Sequence, residues 1–224
     1  PDDLLKKINK KTKVVIYTQM NGRVGEINRI KDICKKKKLF LIEDAAHAIG
    51  SYNNKTHVGN SGIASSFSFS MPKLITMGQG GAVVTNNNKL AKRLRLYKNF
   101  GRKKSGEDVH KYIGYNFKIT DMQSMLGLEQ LKTINWRIKK KKDIFTRYKD
   151  KLKNNSKIKI FDIKNGETPW SVDIYLKEVK EVKKMLKKNN ILTRYVYPPL
   201  NSQKIYNHFK NLPISNFYCN RGLW

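Results

Sequence analysis

A β-branched run, Lys13 to Thr18, is followed by apolar residues at helical spacing within Gly25 to Lys37 (Ile27, Ile30, Cys34) and then by a continuous apolar run, Leu39 to Ile42. Strand, helix, strand at this spacing predicts a right-handed βαβ unit, and hence a parallel sheet buried on both faces. Ala64 to Phe69 and Gly81 to Thr85 add two short strands. Ligands in such sheets lie at the carboxyl ends of the strands. That rule directs attention to Asp44, which closes the second run, and to the loop SFSMPK, which follows the third and ends on Lys73.

Further along, Asn87 or Asn88 can cap a helix to about Asn99 with Leu90, Leu94 and Tyr97 on one face. Thr120 or Asp121 starts a long helix reaching towards Leu152. Its first half is apolar on two sides: Met122, Met125 and Leu126 form one patch, and Leu128, Leu131, Ile134 and Ile138 the other. Such a helix needs two partners, for example its own sheet and a second subunit or domain. Val172 to Tyr175, a helix carrying Val179, Val182 and Leu186, and a strand from Leu192 to Val196 read as a smaller α+β unit. The expected division is 1–140, part of a large domain, and 141–224, a linking helix with part of a small domain.

The formal net charge of +30 raises nucleic acid as a partner. Against that, the excess is mostly lysine, scattered among many asparagines along the whole chain, as an AT-rich genome would produce without selection for binding. Runs such as Lys35 to Lys38 fall on helix patterns, where solvated lysine faces are ordinary. Cys34 and Cys219 have no paired spacing, which suggests neither a disulfide framework nor a zinc site. No stretch approaches the roughly 20 apolar residues that span a bilayer, and no signal-peptide core is present near Pro1. A soluble, cytoplasmic protein is expected.

An acid at a strand's carboxyl end can hold a pyridinium nitrogen protonated, and a lysine in a nearby turn can form a Schiff base with an aldehyde. Pyridoxal phosphate chemistry needs both groups. The surrounding residues sharpen this. IEDAAHAIGS, YNNKTHVGNSG, FSFSMPK, GQGGAVVTN and GYNFKITDMQSMLGLEQL follow one another as the motifs of the DegT/DnrJ/EryC1/StrS sugar aminotransferases do, and the chain resembles that family from roughly Lys13 to Trp224. NGR near the start and LTRYVYPPL later look most like its perosamine and viosamine synthase branch.

The resemblance implies a fold type I, pyridoxal-phosphate-dependent transferase: an α/β fold with a mostly parallel sheet flanked by helices, and part of a smaller C-terminal α+β domain. It also implies that the large domain begins upstream of Pro1 and that NRGLW starts a motif continuing beyond Trp224. Residue by residue, Lys73 would be the Schiff-base lysine and proton carrier, and Asp44 the partner of the ring nitrogen. His47 would lie against the ring, Ser68 would bind phosphate, and Asn116 would reach across a homodimer to the partner's cofactor. Arg194 would meet the substrate's diphosphate. Dehydratase relatives carry histidine in place of the lysine, so Lys73 favours amino transfer.

Two positions depart from the family. GEGG is GQGG here, with Gln79 for the acid, and NYR is NFK, with Lys118 for an arginine that contacts substrate. Lysine offers a point charge where arginine offers a planar fork. Glu43 alternates to the other side of the strand and receives no role. His57, His110 and His208 have no partner cluster, with His110 a minor substrate-side candidate. The expected activity is transfer of an amino group from L-glutamate to a nucleotide-linked keto-deoxy sugar. A catalytically silent relative and a basic nucleic-acid-binding protein are the alternatives.

Overall fold

The computed structural model describes residues 1–104, 106, 108–206 and 211–224; His208 lies outside the described residues. The chain forms two compact units, Pro1–Lys140 with Lys164–Trp170, and Lys141–Ile163 with Ser171–Trp224.

In the first unit a short helix α1 (Asp2–Lys7) precedes β1 (Val14–Thr18), α2 (Ile27–Lys36) and β2 (Phe40–Asp44). A small hairpin follows, β3 (Tyr52–Asn53) with β4 (Thr56–His57), and then β5 (Ala64–Ser68) and β6 (Gly81–Val84). The main sheet has the order β1-β2-β5-β6, the first three strands parallel and β6 antiparallel to β5. Register places Thr18 beside Asp44 and Asp44 beside Ser66. The βαβ expectation is met, with α2 packing Ile27, Ile30 and Cys34 onto Leu41, Ala45, Ala48 and Val58. The expectation of burial on both faces is not. A single crossover helix covers one side only, and Val14, Ile16, Phe40 and Val83 on the other side stay 42–68% exposed.

α3 (Asn88–Lys98) is capped by Asn87, whose side chain accepts the Leu90 N–H. α4 (Asp121–Lys132) opens on a capping box formed by Thr120 and Gln123. The expected single long helix is broken, and α5 (Ile134–Leu152) begins anew after Thr133. There the Thr133 N–H reaches back three residues to the Gln130 carbonyl, and the Thr133 hydroxyl donates to the same oxygen at 3.1 Å. That local competition for a helix carbonyl is a known way for threonine to interrupt a helix. Of the two apolar patches on α4, Met122, Met125, Leu126, Leu128 and Leu131 are all exposed, and only Gly127 is buried.

The second unit is a three-stranded antiparallel sheet, β7 (Ile158–Ile160), β8 (Ile174–Leu176) and β9 (Gly222–Leu223), with α6 (Val179–Lys188) and α7 (Pro213–Cys219). Its core joins Leu176, Val179 and Leu223 to Ile174, Val182 and Leu186. The expected strand at Leu192–Val196 is reduced to one bridge, Tyr195 to Leu223, flanked by paired backbone bonds between Arg194 and Trp224. Pro198 and Pro199 follow after Tyr197 and lack the N–H groups a longer ladder needs. Among the described residues, no helix is long and apolar enough to cross a membrane.

Candidate active site

Asp44 ends β2 with its side chain on the open face of the sheet. Its Oδ1 accepts the Ala46 N–H at 3.2 Å, and the Thr18 hydroxyl lies 3.5 Å from Oδ2. Glu43, one residue earlier, points the opposite way, as alternation along a strand requires. It is fully buried and accepts from Gln19 Nε2, from the N–H groups of Gly59, Ser61 and Gly62, and from the Ser65 hydroxyl. Two adjacent acids therefore do different work: Glu43 ties down the loop between β4 and β5, and Asp44 faces the site.

Lys73 sits in the turn between β5 and β6, where its N–H donates to the Ser70 carbonyl. The Phe69 carbonyl accepts both the Met77 N–H and the Thr76 hydroxyl, closing the loop on the sheet. Gln130 of α4 steadies it by accepting the Thr76 N–H at 2.9 Å. A side chain at Gly127 would meet Met77 Cγ at 2.8 Å, so that glycine lets α4 approach this turn. The Ser68 and Ser70 hydroxyls are 3.1 Å apart at the end of β5. Gly78 has φ +76° and open space where a Cβ would stand.

His47 completes the group. Its Nδ1 accepts the Asn21 N–H at 3.4 Å, and its ring stacks on Trp170 at 4.0 Å and 16°. Burial, reinforced by the nearby Lys73 charge and opposed by Asp44, lowers its pKa to about 4, so the imidazole is neutral near pH 7. Burial likewise pushes the Lys73 amine below the ordinary lysine value, with Asp44 acting in the opposite direction. Lys73 and Asp44 thus lie close enough to His47 to bias its protonation, and Asp44 close enough to Lys73 to bias that of the amine.

Trp170 carries no periodic or motif signal in the sequence. It arrives on Lys164–Trp170, which returns to the first unit after α5 and β7. Its indole N–H donates to the Pro72 carbonyl at 2.8 Å, and Lys73 Nζ lies 4.7 Å from the ring centroid.

The remaining expected residues have their contacts elsewhere. Asn116 pairs with Asn99 in a one-residue antiparallel bridge and is exposed. Lys118 Nζ stands 4.5 Å over the Phe100 ring. Arg194 is an exposed residue of the second unit, joined to Trp224 through its backbone. The Gln79 carbonyl accepts from Gln123 Nε2. His57 Nε2 accepts the Gly50 N–H and its Nδ1 lies 2.6 Å from the Val58 carbonyl, while His110 Nδ1 lies 2.8 Å from the Phe100 carbonyl. Both histidines serve loop structure.

An acid, a neutral imidazole and an amine with a lowered pKa therefore meet at the carboxyl edge of a parallel sheet. The sequence profile of the DegT/DnrJ/EryC1/StrS aminotransferase family matches residues 1–224. The chain belongs to this family. A GDP-perosamine synthase of Vibrio cholerae is 33% identical over 99% of the chain and 63% of its own length. A UDP-4-amino-4,6-dideoxy-N-acetyl-beta-L-altrosamine transaminase of Helicobacter pylori is 36% identical over 68% of the chain. Among solved structures, Helicobacter pylori PseC, an aminotransferase involved in the biosynthesis of pseudoaminic acid, superposes with a TM-score of 0.91 at 28% identity, covering 98% of the chain and 62% of PseC. A Brucella abortus member of the family gives 0.89 at 27% identity. The fold type I expectation is thereby met; the chain spans about three-fifths of the length of the GDP-perosamine synthase, PseC and the Brucella protein, and its match covers 41% of the Helicobacter transaminase.

Proposed function

We propose that this chain carries the lysine, acid and imidazole of a pyridoxal-phosphate-dependent aminotransferase that converts a nucleotide-linked keto-deoxy sugar into an amino sugar, with L-glutamate as donor. The observation that carries the reading is the convergence of Asp44, His47 and Lys73 in a chain of this family. The names of its relatives, a GDP-perosamine synthase and a UDP-sugar transaminase, support the substrate class. The residues suit the cofactor: one carboxylate for a ring nitrogen, one amine with a lowered pKa, and paired serine hydroxyls for a phosphate. When bound, pyridoxal phosphate supplies an aldehyde that condenses with amines and a ring that draws electrons from the carbon losing its proton.

Lys73 Nζ would hold the cofactor and then carry the proton removed from the donor's α-carbon, a role its lowered pKa favours. Asp44 would keep a proton on the ring nitrogen, and a carboxylate does this far better than a neutral group. Neutral His47 would lie against the ring, and the Ser68 hydroxyl would donate to the phosphate. Lys118 and Arg194 would meet the substrate. Asn116 would serve the site of a second subunit; the exposure of Ile113, Phe117, Met122 and Met125 around it, 67–82%, favours a homodimer contact there.

The direct test is the visible absorption of the purified protein with added pyridoxal phosphate, before and after borohydride. A new band that reduction removes, with the label on Lys73, is the expected result; a spectrum that stays that of free cofactor would overturn the reading. Asp44→Asn should retain cofactor yet slow turnover on the order of a thousandfold, because the amide cannot stabilise a charged ring nitrogen. Near-normal turnover would make Asp44 merely structural.

A further inference from the structure

We propose that Trp170 is a positioning residue of this site: anchored through its own N–H, its indole holds the His47 ring flat and steadies the turn that presents Lys73. The proposal rests on the reading of Lys73 given above. Three contacts carry it: the stack on His47 at 4.0 Å, the Lys73 amine 4.7 Å from the ring centroid, and the bond from Nε1 to the Pro72 carbonyl at 2.8 Å. Together they touch the imidazole, the amine and the backbone one residue before Lys73.

The segment that bears Trp170 is fastened with a density that hydrophobic closure would not require. The Glu167 carboxylate accepts the Val24 and Lys164 N–H groups, both at 2.7 Å. The Thr168 N–H donates to the Ser51 hydroxyl at 2.9 Å, and the Thr168 hydroxyl donates to the Gly50 carbonyl at 2.8 Å. The Tyr52 N–H donates to the Gly166 carbonyl, and the Trp170 N–H to the Asn21 carbonyl. Gly22 is obligatory beneath it, because a Cβ there would lie 1.9 Å from the Thr168 carbonyl oxygen. Glu167 and Thr168 are buried, whereas Trp170 itself is only half-buried. The anchorage is spent on polar residues, and the large aromatic is directed at the site instead of the core. The lowered pKa of His47 agrees with a ring covered on one face; the charged groups acting on it are Lys73 and Asp44.

Two variants test this. Trp170→Phe keeps an aromatic face and loses the N–H; Trp170→Ala loses both. Without any cofactor, the His47 imidazole followed by NMR should titrate near 4 in the wild type and move up towards 6.5 in Trp170→Ala, while Trp170→Phe stays close to wild type. With pyridoxal phosphate and borohydride, labelling of Lys73 should need a higher pH in Trp170→Ala. In Trp170→Phe it should slow about tenfold, the equivalent of one lost hydrogen bond of roughly 1.4 kcal/mol, with the pH profile unchanged. Folded variants that match wild type in His47 titration and in Lys73 labelling would overturn the proposal. Should Trp170→Ala fail to fold, an unchanged labelling rate in Trp170→Phe would overturn it. If wild type itself labels nowhere, the reading of Lys73 falls, and the cofactor-free titration still decides the role of Trp170.

Discussion

A Lys73→Ala variant is expected to lose the borohydride-trapped pyridoxal phosphate adduct entirely. The chain holds 38 lysines, so chemical competence alone does not single out one amine. Environment does. Lys73 has a depressed pKa, a carboxylate and an imidazole within electrostatic reach, and serine hydroxyls on the preceding residues. Burial also lowers the pKa of Lys141, which lies in the second unit without that set of neighbours. Lys141→Ala is therefore the control and should keep the adduct. Peptide mapping that finds the wild-type label spread evenly over many lysines would remove Lys73 from the mechanism.

Glu43→Ala should produce the largest loss of stability. The carboxylate serves five donors on three separate segments, and its removal strands the N–H groups of Gly59, Ser61 and Gly62 beside a new cavity. Stranded donors cost about 1–3 kcal/mol each where water cannot reach them, and partial hydration brings the expected total to about 4 kcal/mol. For a chain of this size that corresponds to a fall in Tm of roughly 10 °C. Glu43→Gln should cost about half as much, because its amide nitrogen would face another donor on one side. Thermal unfolding followed by circular dichroism checks both; a Glu43→Ala midpoint within a degree of wild type would refute the account of this network.

Local features were legible in the sequence where local physics decides them. Apolar spacing revealed β1, α2 and β2, and capping chemistry narrowed the starts of α3 and α4 to Asn87 or Asn88 and to Thr120 or Asp121, of which Asn87 and Thr120 are the caps. Asp44 and Lys73 stood out because each follows an apolar strand. What periodicity cannot express was missed. The break at Thr133 comes from one hydroxyl competing for a carbonyl, and the residues on either side keep a helical pattern. Pattern also made the sheet look covered on both faces, since a continuous apolar run reports which side chains are apolar and not what packs on them. Trp170 was invisible for a different reason: its bond to Pro72 spans 98 residues, and nothing in its immediate neighbours announces it.

The fastening of Lys164–Trp170 also bears on how the chain matures during synthesis. Val24 waits for a hydrogen-bond acceptor 143 residues further along. At ribosomal speed that gap is on the order of ten seconds. Through that interval the loops around Asn21 and Ser51 lack their partners on residues 164–170. The segment that satisfies those loops is also the one that brings an indole to His47 and Lys73. A chain stopped before residue 164 has no acceptor for the Val24 N–H and no Thr168 to meet the Ser51 hydroxyl.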